Sequence, residues 1–175
     1  MFLSVRAARL NRDRPAARRA SVYGLSILNE AINWAYRNDL PPDVKHFLAL
    51  GMAECLLAEH YVEAAWRLLA GQIVSAKRDL GNDDPIVIGL GFQTAQAGYK
   101  MHFFGRKDHR ESLIYSIILH WGAHGRSARV LGEDHPLTRK IAAAFLECFD
   151  EQLEWSSLDD IPSAVLAHRA RLLGD

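Results

Sequence analysis

The sequence predicts an all-α protein of antiparallel helical hairpins, stacked as a short superhelix with capping helices at both ends. Apolar residues return at three- and four-residue spacing through most of the 175 residues, and alternating runs of Val, Ile or Thr are absent. One connector phrase occurs twice, as Leu-Gly-Asn-Asp-Asp-Pro at 80–85 and as Leu-Gly-Glu-Asp-His-Pro at 131–136, with a weaker form at 39–44. A helix connector that recurs at long spacing is typical of a helical-repeat protein.

Start and stop signals divide the chain into seven predicted helices, at 22–37, 42–57, 61–79, 85–104, 109–130, 136–153 and 158–173. The first carries an apolar stripe that includes Leu28 and Ile32. The second opens at Pro41-Pro42, because proline tolerates the first helical turn, where its missing N–H costs nothing. The third ends at Gly81, which we expect in the left-handed conformation that glycine accepts at little cost.

The later helices are delimited by similar residues. Asp84 is predicted to cap the fourth helix and Pro85 to take its first position. The glycines of this helix, among them Gly89, indicate close approach of a neighbouring helix. The capping-box residues Asp108 and Glu111 precede the fifth helix, in which glycines 122 and 125 permit a kink. Asp134 is predicted to cap the sixth helix, and the seventh covers the open end of the stack.

The connectors and the phrase Tyr61-Val62-Glu63-Ala64 resemble tetratricopeptide repeats of the kinesin light-chain type. The prolines at 42, 85 and 136 are 43 and 51 residues apart, so the second unit carries an insertion. The resemblance covers about residues 42–153. It implies a tetratricopeptide-like domain at 21–175 after an arm at 1–20. The asparagine pair with which the family grips peptides is missing: the matching pairs are 49–50, 92–93 and 143–144, where only Gln93 carries a carboxamide.

The resemblance implies a non-catalytic interaction module, an adaptor or assembly factor that binds a peptide or protein surface through its concave helical face. This face is lined by the first helix of each pair. Mapping it by position selects the following partner-binding residues: His46, Phe92, Gln96, Tyr99, Lys100, Lys140, Glu147 and Asp150. The aromatic residues would fill apolar hollows and the lysines would meet an acidic group of the partner. Self-association is a further possibility if the end helices leave apolar surface exposed.

The arm carries an excess of positive charge. Residues 1–24 contain six arginines against one acid, a net charge of +5 in a chain whose total is zero. The arm could dock as an amphipathic first helix, bind nucleic acid or an anionic surface, or act as a mitochondrial targeting segment. The cysteines are expected to be reduced thiols, which favours a cytoplasmic location, and the mitochondrial matrix is the alternative if the arm is a targeting segment. No apolar run is long enough to span a membrane. The arginines in question are Arg6, Arg9, Arg12, Arg14, Arg18 and Arg19.

No nucleophile motif, phosphate-binding loop or dinucleotide fingerprint is present, so we expect neither enzymatic activity nor a cofactor. His120 and His124 are one helical turn apart and could hold a metal ion with a third ligand, but no His-Glu-x-x-His or Cys-x-x-Cys phrase completes such a site. His102 and His109 lie in the same region. We expect buried, reduced thiols at the two cysteines, 55 and 148, and core positions for the tryptophans at 34, 66, 121 and 155. For Trp155 the alternative is an exposed position at which it contacts a partner.

Overall fold

A computed structural model of the chain describes residues 14–104, 110–155 and 161–174, and the side chains of 23–101, 113–150 and 161–174. The described residues contain α-helices and no strand, which confirms the all-α prediction. The helices are α1 (Arg14–Arg37), α2 (Pro42–Ala58), α3 (Val62–Leu80), α4 (Pro85–Phe104), α5 (Arg110–Leu131), α6 (Pro136–Trp155) and α7 (Ser163–Leu173).

Three helices begin at the predicted prolines, Pro42, Pro85 and Pro136. Asp84 caps α4 as predicted, since its Oδ1 accepts a hydrogen bond of 2.8 Å from the backbone N–H of Ile86. The predicted cap of α6 is wrong.

At α6 the side chain of His135 takes the capping position, and its Nδ1 accepts a hydrogen bond of 3.2 Å from the backbone N–H of Leu137. Asp134 instead accepts a hydrogen bond of 2.6 Å from Arg139. The residue directly before the proline is the one placed to cap the helix. In the first connector that residue is an aspartate, and in the second it is a histidine.

Gly81 ends α3 as predicted, with φ +87°. Its ψ of 162° lies outside the left-handed helical region that the sequence predicted, in a part of conformational space that only glycine adopts readily. Gly132 follows α5 with φ +93°. Helix α5 runs without a break through glycines 122 and 125, where the sequence permitted a kink or a break. The predicted capping box at 108–111 lies outside the described residues and side chains.

Helix α1 starts earlier than predicted and runs through the expected boundary between the arm and the domain at residues 20 and 21. Each helix from α1 to α5 packs against the next one along the chain. Helix α2 also contacts α4, and α4 contacts α6, so these three helices form a layer of their own. Helix α7 lies against α5.

Helices α2 and α4 run in the same direction. A Cβ atom placed on Gly89 would meet Leu50, and the Nε2 of Gln93 donates a hydrogen bond of 2.8 Å to Glu54 Oε1, so both contacts join residues 39 positions apart. The close approach predicted from the glycines of α4 is confirmed at Gly89.

The buried apolar residues whose side chains are described form three clusters. One joins α2, α3 and α4 around Leu69 and Leu90, and a second joins α5, α6 and α7 around Ile117 and Phe149. The third, which includes Phe92, joins α4 to α5 and α6 and so lies between the other two. Residues 92–95 of α4 are all buried, and they cover a complete helical turn, so α4 is enclosed on every side there. In the parts of the chain described, no helix is long and apolar enough to cross a membrane.

Candidate partner-binding surface

The predicted partner-binding residues lie on α2, α4 and α6, but they do not form one open face. Lys140, Glu147 and Asp150 on α6 are exposed. The side chains of His46 and Phe92 are interior, with only 3% and 2% of their surface exposed. These two residues are therefore not available to a partner.

His46 belongs to the contact between α2 and α3. One ring nitrogen lies 3.0 Å from Gln72 Oε1 and the other lies 3.1 Å from Asp79 Oδ2, and both of these acceptors are on α3. Arg78 and, to a smaller extent, His46 hold the pKa of the Asp79 carboxyl below its usual range. Mapping by position could not show that this imidazole turns away from α4.

Phe92 lies beneath Lys140. The Lys140 Nζ is 5.4 Å from the centre of the phenyl ring, within the range of a cation–π contact. The ring also meets His120 edge to face, with ring centres 5.8 Å apart. A partner approaching this position would meet the lysine ammonium before the ring.

The other predicted residues of α4 take part in contacts between helices. The Lys100 ammonium donates a hydrogen bond of 3.0 Å to the backbone carbonyl of Leu57, in the last turn of α2. A cation near the free carbonyls of a helix end is favourable. Gln96 binds His120, and Tyr99 packs against the cluster of α5, α6 and α7. On α6, Asp150 accepts a hydrogen bond of 3.0 Å from Arg169 of α7.

Phe47 is the exposed aromatic residue of this layer that the sequence interpretation missed. It stands three and seven residues before Leu50 and Glu54, two residues of α2 that contact α4, so it lies on the same stripe of the helix. Its side chain is 64% exposed. The 39-residue offset places it level with Ile86, at the first turn of α4. Following the stripe back from Leu50 would have selected Phe47 rather than the neighbouring His46.

A buried polar network surrounds His120 on α5. Its Nδ1 lies 2.9 Å from the backbone carbonyl of Ser116, which can only accept, so Nδ1 carries the proton. The Nε2 then accepts a hydrogen bond of 3.0 Å from the Gln96 amide. The Ser116 hydroxyl donates to the Ala95 carbonyl at 2.8 Å, which ties α5 to α4. Burial lowers the pKa of His120 to about 4, so the ring is neutral at pH 7.

Cys148 on α6 lies beside this network, but its thiol has no neighbouring base that could take its proton. Its Sγ lies 3.7 Å from His120 Nδ1 and 3.8 Å from the Ser116 hydroxyl. Because Nδ1 already holds a proton and donates it to a carbonyl, it cannot take the thiol proton. The network is therefore suited to joining three helices, α4, α5 and α6, rather than to nucleophilic chemistry.

A second buried pair, His124 on α5 and His168 on α7, has ring centres 4.9 Å apart. Arg171 donates a hydrogen bond of 3.1 Å to His168 Nδ1, and Glu133 lies 3.7 Å from His124 Nε2. The remaining ring nitrogens, Nδ1 of His124 and Nε2 of His168, have no hydrogen-bond partner among the described atoms. Burial lowers the pKa of both histidines, that of His168 to about 4 with help from the charges of His124 and Arg171.

His120 and His124, the pair considered as possible metal ligands, enter different networks in the structure. Within the described ranges, no three His, Cys, Asp or Glu side chains are grouped so that they could hold a metal ion. The His102 side chain and all of His109 lie outside those ranges.

The cysteines and tryptophans follow the predictions in part. Cys148 is buried as predicted, but Cys55 is only half-buried. Burial, with the charges of Glu54 and Glu59, raises the pKa of the Cys55 thiol. Trp66 and Trp121 are partly buried against the core, and the Trp155 side chain is outside the described part.

The core position predicted for Trp34 is wrong, because its side chain is 58% exposed on α1. Tyr23 and Ile27 on the same helix are 67% and 38% exposed. The described residues that line a shallow surface groove along this helix are Ile27, Glu30, Ala31, Asn33, Trp34 and Arg37. Of the arm, Arg6, Arg9 and Arg12 lie outside the described residues. Arg14, Arg18 and Arg19 belong to α1, but their side chains are not described.

No protein-family model, curated protein or solved structure matches this chain. The resemblance to tetratricopeptide repeats therefore stays a prediction from the connectors and their spacing.

Proposed function

We propose that the protein is a non-catalytic protein–protein interaction module, an adaptor or assembly factor of tetratricopeptide-like architecture. In this proposal a peptide or protein partner binds across the layer of α2, α4 and α6. The observation that carries it is the exposure of Phe47 on the stripe of α2 that leads to α4. A phenyl ring that is left in water gains about 1.5–3 kcal/mol when a partner buries it.

The exposed charges of α6 supply the second part of the surface. Lys140 Nζ stands over Phe92, and Glu147 is exposed two turns further along the same helix. A partner with an apolar side chain for Phe47 and an acidic group for Lys140 would match this arrangement. Charged groups at the rim of such an interface set orientation and association rate more than affinity.

The buried polar residues support binding rather than catalysis. His120, Ser116 and Gln96 are hydrogen-bonded to one another or to backbone carbonyls between helices. An imidazole with a pKa of about 4, closed off from solvent, is a poor general base at neutral pH. These side chains are better placed to fix the helices of a binding scaffold.

Site-specific photo-crosslinking would test the proposal. A photoreactive phenylalanine analogue at position 47 should capture a defined partner in cells. The same analogue at position 74, where Val74 is highly exposed on α3, serves as the matched control. With the purified partner, Phe47→Ser should weaken binding at least about tenfold and Val74→Ser should not. Equal affinity in both variants, or capture at position 74 alone, would contradict the proposed surface.

Binding of nucleic acid or an anionic surface through the arm is the second candidate, and the +5 charge of residues 1–24 favours it. Affinity for a labelled oligonucleotide should then fall steeply with salt, and Gln at Arg6, Arg9 and Arg12 should flatten the slope by about three counterions. An unchanged slope would remove this candidate. We also propose a cytoplasmic location, or the mitochondrial matrix if the arm is a targeting segment. Fluorescence microscopy of the protein fused to a fluorescent protein would test the location.

A further inference from the structure

Helix α7 is docked on α5 and α6 through a buried contact between two histidines. His124 of α5 is 1% exposed and His168 of α7 is 8% exposed, and their ring centres are 4.9 Å apart. The Phe145 ring of α6 also meets His168, edge to face with ring centres 5.4 Å apart. Val165, one turn before His168, is fully buried in the apolar cluster of α5, α6 and α7. An apolar contact and a titratable contact therefore hold the same short helix.

The hydrogen bond that His168 makes requires a neutral ring. The Arg171 guanidinium lies 3.1 Å from His168 Nδ1, and because a guanidinium can only donate, Nδ1 accepts and the ring proton is on Nε2. A second proton would have to bind at Nδ1. It would remove the acceptor that Arg171 uses and bring two cations into contact. The docked position of α7 therefore favours the neutral form of His168.

His124 is also unsuited to a second proton while α7 is docked. Its Nε2 faces a carboxylate oxygen of Glu133 at 3.7 Å, whereas its Nδ1 is buried and has no hydrogen-bond partner among the described atoms. An imidazolium carries a proton on both nitrogens, so one charged N–H would stay in the interior without an acceptor. Such a group is costly to bury.

The other charges around the two rings do not neutralise added protons. The Glu133 side chain is 59% exposed, and its second oxygen lies 4.0 Å from Arg171. An exposed carboxylate of this kind is screened by water. On α6, Asp150 is paired with Arg169. Burial is the largest cause that lowers the pKa of both histidines, Arg171 lowers the pKa of each further, and Glu133 opposes the shift without cancelling it.

We propose that α7 is an acid-released helix, which leaves α5 and α6 when His124 and His168 take up protons, while the helices from α2 to α6 stay folded. Release uncovers the apolar cluster that Val165 helps to close. At 11 residues, α7 is shorter than the about 12–15 residues that an isolated helix needs in water, so the released segment also loses its helix.

The direction and size of the pH effect follow from proton linkage. The pKa of His168 is about 4 in the docked helix against its ordinary value of 6.5 once α7 is released, so docking is strongest above pH 6.5 and weakens as the pH falls towards 4. From pH 7 to pH 5, this one histidine makes release about 20-fold more favourable. His124, whose pKa is lowered as well, adds to the effect in the same direction.

Hydrogen exchange of the full chain, measured by mass spectrometry at pH 7, 6 and 5, tests the release. After correction for the pH dependence of chemical exchange, the protection of the α7 amides should fall at least about 20-fold from pH 7 to pH 5. The free energy of opening calculated from this protection should stay below the free energy of unfolding measured with urea at the same pH. Equality of the two would show that α7 opens only with the whole chain, and would overturn the proposal.

Side chains that cannot be protonated test the assignment. In the variant His124→Gln with His168→Asn, the asparagine oxygen can accept from Arg171 in place of Nδ1, and the glutamine amide can face Glu133. The fall in α7 protection should shrink to less than about threefold. His120→Gln, which removes a buried histidine from the network of α4, α5 and α6, is the matched control and should keep the fall of at least about 20-fold.

A third variant covers the case in which the double variant no longer docks α7 at pH 7. Glu133→Gln keeps both histidines and removes the carboxylate that favours their protonation in the docked state, so the fall in protection should become about twofold larger. Two results would overturn the proposal. One is α7 protection in the wild type that does not change between pH 7 and pH 5, and the other is a fall that neither the double variant nor Glu133→Gln alters.

Discussion

The side chain of Leu50 on α2 lies over Gly89 on α4, with its Cδ2 atom 2.9 Å from the point that a Cβ on residue 89 would occupy. Cβ atoms essentially never approach another heavy atom so closely. A side chain at residue 89 would therefore force the Leu50 side chain to shift.

Gly89→Val should lower the free energy of unfolding by about 1–3 kcal/mol, because the added methyl groups overlap Leu50 in a packed interface. Leu50→Ala in the same chain should recover part of that loss by making room. The measurement is urea unfolding of the wild type, both single variants and the double variant. A coupling of at least about 1 kcal/mol is expected, and strict additivity would show that the residues do not compete for the same space.

Gly81→Ala should destabilise the protein by about 1–3 kcal/mol, since φ +87° with ψ 162° is strained for any residue with a Cβ. Gly71→Ala is the matched control. Gly71 is an exposed glycine inside α3, and a Cβ there would meet nothing within 4 Å. Better helix propensity should make this variant more stable by up to about 1 kcal/mol. Thermal unfolding would show shifts of opposite sign, and shifts of the same sign would contradict the backbone argument.

Stability should fall as the pH is lowered from about 6.5 to about 4. The pKa of His120 is about 4 in the folded chain against 6.5 in the unfolded one, so within this range only the unfolded chain takes up the proton. Its contribution, about 3 kcal/mol, is complete above pH 6.5 and lost by pH 4. His168, with a pKa of about 4, acts in the same direction.

The pH dependence can be assigned to His120 by substitution. In His120→Gln, the slope of unfolding free energy against pH between 4 and 6.5 should decrease by up to about 1.4 kcal/mol per pH unit, because one titrating group has been removed. Urea midpoints at four or five pH values would provide this slope. An identical slope in both proteins would show that His120 does not titrate differently in the two states.

Ser127 and Thr138 form a buried hydroxyl pair between α5 and α6, with their oxygens 2.7 Å apart. Ser127→Ala should cost about 1–3 kcal/mol, because it leaves the threonine hydroxyl buried without this partner. Adding Thr138→Val should cost little more, or restore some stability, since both polar groups are then gone. The free energy of unfolding of both single variants and of the double variant would be measured by urea unfolding. If the loss in the double variant equals the sum of two large losses in the single variants, the two hydroxyls contribute independently.

The helical architecture was predictable because its signals are local. Prolines at first helical positions and glycines after helix ends act through the backbone of one or two residues, and α2, α4 and α6 begin where Pro42, Pro85 and Pro136 indicate. Even here the prediction was wrong at Asp134, because the capping position is defined by the residue directly before the proline.

The predicted surface was less accurate because exposure depends on packing between distant segments. Helical periodicity places His46 and Phe47 side by side, but only the positions of α3 and α4 decide that His46 is interior and Phe47 exposed. Trp34 likewise is a residue type that is usually buried in the core. Whether another part of the chain covers its side of α1 depends on the tertiary structure, and the side chain is exposed. The hydrogen bond between Gln96 and His120 could not be predicted from the sequence for the same reason.

The burial of α4 among its neighbours also determines how the protein unfolds. Helix α4 contacts four described neighbours, α2, α3, α5 and α6, whereas the units of a long linear array touch only the units beside them. Neither half of the chain can open without exposing α4. The amide hydrogens of its central turns should therefore exchange with solvent only when the whole molecule unfolds. We therefore expect the helices from α2 to α6 to unfold as a single cooperative unit, in spite of the connector that recurs along the chain.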